Sequence, residues 1–298
     1  PITVAGIGTA LAGASAPLAV YGQQVYPEIP AALALLVGIA LTTGRLRRHT
    51  LIALVVALNA LPWLGAKYLP VAAALAVVAL VRLAREQRRA AVWLAASLAL
   101  SGVVYLVAHR LLWGGWTVYA TGDHFVQTGE FSVICVEADY VGRSLRLVAL
   151  LSDRAYGLVA WQPAWLLAVP AVGALVALRG RATPGFVRAA ALAPLLAGWT
   201  VATWWALTMH GFWWPGRQVV AVLPIAALVV LWWVGRIVPW LQPVAATLGL
   251  IGVAHYAALL VDGWAGHVTW VVSFDGVQDP LYQILRPLFP DYSEQGPG

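Results

Sequence analysis

GRLRRHTLIALVVALNALPWLGAKY, residues 44–68, opens on three arginines, runs through an apolar stretch and closes on a lone lysine. Between Leu51 and Leu64 only Asn59 interrupts the apolar side chains. A helix needs about 20 such residues to cross a hydrocarbon core, and the arginines mark one end of this one. Comparable runs recur along the chain, so the sequence predicts an all-α, multi-pass transmembrane helix bundle of about nine spans. They fall at roughly 2–21, 29–43, 50–66, 69–83, 90–108, 161–178, 189–208, 218–235 and 240–261. Those near 15 residues need tilt or burial among neighbours.

The connections between runs divide the charges unequally. Alternate gaps hold Arg45, Arg47, Arg48, Arg82, Arg85, Arg88, Arg89, Arg179, Arg181, Arg188 and Arg236, eleven of the eighteen basic residues, with Glu86 as their one acid. The other gaps hold seven basic residues and eleven of the twelve acids. Positive charge concentrates on cytoplasmic loops, so the first set is expected inside and the second outside. A bacterial cytoplasmic (inner) membrane is the expected location, with the long loop and the C-terminus on the external side.

Composition agrees. The chain is 61% hydrophobic and 10% charged, against about 25% charged for an ordinary globular protein. The net charge of +6 comes from short clusters that suit an anionic leaflet, so nucleic acid is not expected as a partner; membrane lipids are. A single cysteine, Cys135, excludes an internal disulfide framework. Residues 2–21 have neither a basic leader region nor a cleavage site, so they do not read as a signal peptide. Pro1 is no initiator, and residues upstream of it are expected.

The bundle is expected over 1–261 and an external tail over 262–298. Residues 109–160 form a long external loop. Within Tyr140–Tyr156, Val141, Leu145, Val148, Leu151 and Ala155 recur at helical spacing, with Arg143, Arg146, Asp153 and Arg154 between them. That pattern reads as a helix lying in the membrane interface.

Candidate site residues cluster at the external boundaries. Glu28, in Tyr26-Pro27-Glu28-Ile29-Pro30, is either a carboxylate for chemistry or an acid favoured by a helix N-terminus. Lys67, the one lysine, either meets an anion such as a lipid phosphate or snorkels. Arg217, after Trp213-Trp214-Pro215-Gly216, has the donor fork that grips phosphate. The tryptophans stack on a substrate or belong to the interfacial belt. Asp153 and Arg154 form an ion pair or cap a helix. His109, His124, His210, His255 and His267 show no metal-ligand spacing and read as packed or interfacial, so no metal ligands are assigned. Few ionisable groups fall within spans, which argues against a proton-coupled pump.

Taken in order, Pro17-Leu18, Tyr26-Pro27-Glu28, Leu61-Pro62-Trp63-Leu64 with Lys67-Tyr68, Leu151-Ser152-Asp153-Arg154-Ala155-Tyr156-Gly157, and Trp214-Pro215-Gly216-Arg217 are similar to a known pattern. The chain resembles the C-terminal two-thirds of bacterial GT-C-type glycosyltransferases, integral membrane mannosyl- or arabinosyl-transferase-like enzymes. The resemblance implies transfer of a sugar from a polyprenyl-phosphate donor to an external acceptor. It also implies Glu28 as a catalytic acid, with Lys67, Tyr68, Arg154, Trp214 and Arg217 binding substrate. A divalent metal, Mg or Mn, would be an accompanying cofactor. The family's other acid, in a first external loop, would lie upstream of Pro1. Two further readings compete: a non-catalytic subunit that packs against other membrane subunits, and a lipid or small-molecule transporter.

Overall fold

The computed structural model describes residues 2–116, 139–178, 184–206, 209, 214–269 and 276–292. Arg179, Arg181, His124, His210, Trp213, Cys135, Glu130 and Glu137 lie outside the described residues. Among those described, every regular element is helical. The α-helices are α1 (Ile2–Gly13), α2 (Leu18–Gly22), α3 (Glu28–Thr43), α4 (Arg48–Leu64), α5 (Leu69–Glu86) and α6 (Arg88–Trp113). There follow α7 (Tyr140–Arg143), α8 (Arg146–Ser152), α9 (Leu158–Trp161), α10 (Ala168–Ala177), α11 (Gly185–Thr200), α12 (Leu223–Trp232), α13 (Gln242–Trp264) and α14 (Pro280–Leu285).

Five helical stretches are long and apolar enough to cross a membrane: Ala66–Glu86, Arg88–Trp113, Gly185–Trp205, Val220–Ile237 and Pro239–Trp264. Ile2–Gly13, Glu28–Thr43, Arg48–Leu64 and Pro163–Ala177 are apolar but shorter. The first expected span is not one helix. Its chain leaves α1 at Gly13 and restarts at Leu18. The cause is local: Ser15 Oγ donates to the Ala12 carbonyl at 3.1 Å, and Pro17 has no amide hydrogen to continue the ladder.

One core joins most of the helices. It is built on Leu35 of α3, Leu54 and Leu61 of α4, Leu75 and Leu83 of α5, Leu94 of α6, and Leu158 and Trp161 of α9. A second cluster, Ala171, Leu175, Val229, Val230 and Val234, joins α10 to α12. Between α1 and α13 the buried Gln162 amide donates to Ser15 Oγ at 2.7 Å and to the Gly249 carbonyl at 3.3 Å. The partners are needed because a buried amide without them would cost stability. At the Arg-rich end, Arg82 donates to the carbonyls of Thr42 and Gly44, closing the C-terminus of α3, where a cation is favoured. At the opposite end Trp63, Tyr105, His109 and Trp113 form a ladder of rings bracing α4 on α6.

The amphipathic segment differs from its sequence reading. It is two short helices, α7 and α8, and its arginines face inward. Arg143 donates to the Trp204 carbonyl at 2.8 Å and Arg146 to that of Ala206 at 2.6 Å. They cap the π-turn Val201–Trp205 that ends α11. Its last carbonyls have no helical partner, so they attract the guanidinium groups. Burial, with Arg143 alongside, lowers the Arg146 pKa to about 10, which leaves it charged at neutral pH. Val141 and Val148 are 86% and 56% exposed. An outward apolar face suits lipid contact. Bromolipid quenching of a single tryptophan at position 148, in a variant lacking the native tryptophans nearby, should be strong. Quenching no greater than for a soluble indole would place this face in water.

Candidate functional site

Glu28 is the first residue of α3, after Pro27. Its carboxylate therefore sits where the helix dipole favours negative charge. The group is fully buried. Two cations from distant parts of the chain reach the same oxygen. Lys67 Nζ, on the turn before α5, donates to Oε1 at 2.8 Å, and Arg217 Nε donates to it at 3.1 Å. The Lys67 and Arg217 side chains are 27% and 25% exposed, whereas Glu28 is 0%. The carboxylate is thus closed off from solvent, while each cation keeps part of its surface exposed.

Aromatic groups line the cluster. The Arg217 guanidinium lies over the Tyr26 ring at 4.5 Å, and Lys67 Nζ is 5.2 Å from the centre of the Tyr68 ring. Such contacts add modestly to ion pairing. Two buried polar atoms, Glu28 Oε2 and the Tyr68 hydroxyl, have no hydrogen-bond partner among the described residues.

Arg217 is delivered by a shaped turn. Trp214 is fully buried, and its carbonyl accepts from the Tyr21 hydroxyl. Gly216 has φ +78°, a left-handed conformation that favours glycine. A Cβ there would approach Leu158 Cδ2 to 2.7 Å and Pro17 Cγ to 3.1 Å. The turn is thus seated against the break between α1 and α2 and against α9.

Glu28, Lys67, Tyr68, Trp214 and Arg217 belong to this one region. Arg154 does not share it. Its Nε lies 3.4 Å from Asp291 Oδ2, and its amide donates to the Pro290 carbonyl at 3.0 Å. Asp153, fully buried, accepts through Oδ1 from the amides of Ala155 and Tyr156 and through Oδ2 from that of Tyr292. It is a cap and a clamp, with three of the about four acceptor positions of its carboxylate taken by backbone amides. The turn it shapes needs Gly157, where a Cβ would lie 2.4 Å from the Asp153 amide nitrogen.

A second polar group is not singled out by the sequence. His255 Nδ1 meets Asp279 Oδ2 in a pair buried on both sides. Asp279 also caps α14 by accepting from the Leu281 amide at 3.0 Å. Asp-Pro ahead of an apolar run, as in Asp279-Pro280-Leu281, is a helix-start signal that would have found it. Among the described residues no three His, Cys, Asp or Glu side chains converge as metal ligands would.

No family model, no curated protein and no solved structure matches the chain.

Proposed function

We propose that the chain is a GT-C-like membrane glycosyltransferase that moves a sugar from a polyprenyl-phosphate donor to an external acceptor. In this reading all nine apolar helices cross the bilayer, and the Arg-rich end faces the cytoplasm. One observation carries it: Lys67 and Arg217 converge on the buried Glu28 at the acidic end while about a quarter of each cationic side chain stays exposed. Two such donors suit a phosphate oxygen.

In the reaction the acceptor hydroxyl oxygen attacks the anomeric carbon, and the bond from that carbon to the phosphate oxygen breaks. The electron pair leaves on the phosphate, and the hydroxyl proton passes to a base. Charge grows on the leaving phosphate in the transition state, where fixed cations contribute most. Lys67 and Arg217 take that role, and Glu28 holds them in place. Shared by two cations and lacking exposed surface, Glu28 suits that role better than proton abstraction. The base is then a second external acid, as the resemblance implies. Glu28, the one described carboxylate in this cluster, is flanked by two cations, a donor set that does not fit a divalent metal.

The test is sugar transfer from a synthetic polyprenyl-phosphate sugar by the intact protein in nanodiscs. Lys67→Ala and Arg217→Ala should each reduce kcat/KM by about 100-fold, the scale of one lost oxyanion donor. Unchanged transfer in both would sink the reading. The burial of Glu28 favours one alternative, in which the cluster staples α3, α5 and the Arg217 turn of a non-catalytic subunit. That reading predicts lost stability in the same variants, with no donor turnover by the wild type.

A further inference from the structure

The segment 276–292 does not hang free from the bundle. The Gln278 amide donates to Asp262 Oδ2 at 2.9 Å, and Asp279 pairs with His255. Asp153 and Arg154 hold Tyr292, Pro290 and Asp291 as described. These anchors bring Tyr282 to full burial. Its ring stacks on Trp161, with centroids 4.3 Å apart and planes 19° from parallel. Trp161 meets Trp214 edge-on at 4.8 Å and 60°. Trp214 begins the Gly216 turn that ends at Arg217. One column of rings thus runs from the C-terminal segment to the cation site.

We propose that Tyr282 is a positioning residue for Arg217, acting through Trp161 and Trp214, which makes 276–292 part of the anion site. The rest of the path is rigid. Trp161 Nε1 donates to the Ala155 carbonyl at 2.8 Å, Trp214 is fixed by Tyr21, and a side chain at Gly216 would collide with Leu158 and Pro17. A tightly packed interior passes on a displacement because it cannot absorb one. Removing the Tyr282 ring lets Trp161 settle into the space, Trp214 follows, and the Arg217 turn moves off Glu28.

The inference rests on the proposed anion site, but its test does not need turnover. Lys67 is the single lysine, so amine labelling read by peptide mass spectrometry reports one side chain, apart from the N-terminus. Arg217→Gln leaves the Glu28 carboxylate to Lys67 alone, and labelling should slow about threefold. Tyr282→Ala should slow it in the same direction by at least half that factor. Tyr282→Leu, which fills the slot without a ring, should behave like Ala, and Tyr282→Phe should match wild type. A wild-type rate in both Tyr282→Ala and Tyr282→Leu, a Phe variant resembling Ala, or no effect of Arg217→Gln would overturn the proposal. Protection of wild-type Lys67 by a short-chain prenyl phosphate tests the anion site separately. If protection fails while the variant rates follow this order, the positioning stands and the donor assignment falls.

Discussion

Glu28→Gln is expected to destabilise the folded protein by about 2–4 kcal/mol, read as a shift of the denaturation midpoint in detergent. The amide keeps the size of the carboxylate and removes its charge, so packing changes little. It leaves Lys67 and Arg217, 2.8 and 3.1 Å from the lost charge, facing each other across a neutral group. Breaking a fully buried pair by deleting one partner costs about 3–5 kcal/mol; a quarter of each cation is exposed, which screens the loss. Two controls give the number its meaning. Lys67→Met added to Glu28→Gln should recover part of the loss, because it removes a repulsion between Lys67 and Arg217 that the carboxylate offsets in wild type. The failure of additivity measures the coupling. Inorganic phosphate should stabilise Glu28→Gln more than wild type at equal ionic strength, since the anion supplies the missing charge. An equal effect of phosphate and chloride would show that the cations do not bind phosphate once the carboxylate is gone.

The same cluster shows how far the sequence can be read. Glu28, Lys67 and Arg217 each stand out as polar residues at the mouth of an apolar run, but 39 and 189 residues separate the partners. Nothing local in the sequence specifies that they meet. The apolar runs are legible as helices because length and hydropathy are local properties. Their lengths are harder: α6 runs on to Trp113, beyond the 108 expected, and α1 stops at Gly13. In the first case the apolar run continues past His109; in the second Ser15 and Pro17 break the ladder. The segment Tyr140–Ser152 is a sharper lesson. Its 3.6-residue period correctly separates two faces but does not say which is buried. In water the apolar face would turn in. Here the inner partner is a row of helix-end carbonyls, and Arg143 and Arg146 satisfy it. Arg154 illustrates the reverse problem, since a cation placed among site residues by order in the chain pairs with Asp291 in space.

Asp153→Ala is expected to release the C-terminal segment, and with it the ring column above Arg217. The carboxylate accepts from the Ala155 and Tyr156 amides at 2.9 and 2.7 Å and from the Tyr292 amide at 3.0 Å. Alanine leaves all three donors without their acceptor. Unsatisfied buried donors cost about 1–3 kcal/mol each, less where water reaches them, so a total of about 3–5 kcal/mol is expected. The loss divides between two tasks, and Asp153→Asn separates them. Asparagine can keep its carbonyl toward Ala155 and Tyr156, which preserves the turn. Its amide then points an N–H at the Tyr292 N–H, which breaks the clamp. Chymotryptic cleavage after Tyr282 should therefore accelerate about tenfold or more in both variants, because Tyr282 is fully buried in wild type and proteolysis follows local opening. Global stability should fall mainly in the alanine variant. If the asparagine variant resists protease as wild type does, Oδ2 does not hold the segment. The remaining anchors, His255 with Asp279 and Asp262 with the Gln278 amide, then suffice to keep Tyr282 on Trp161.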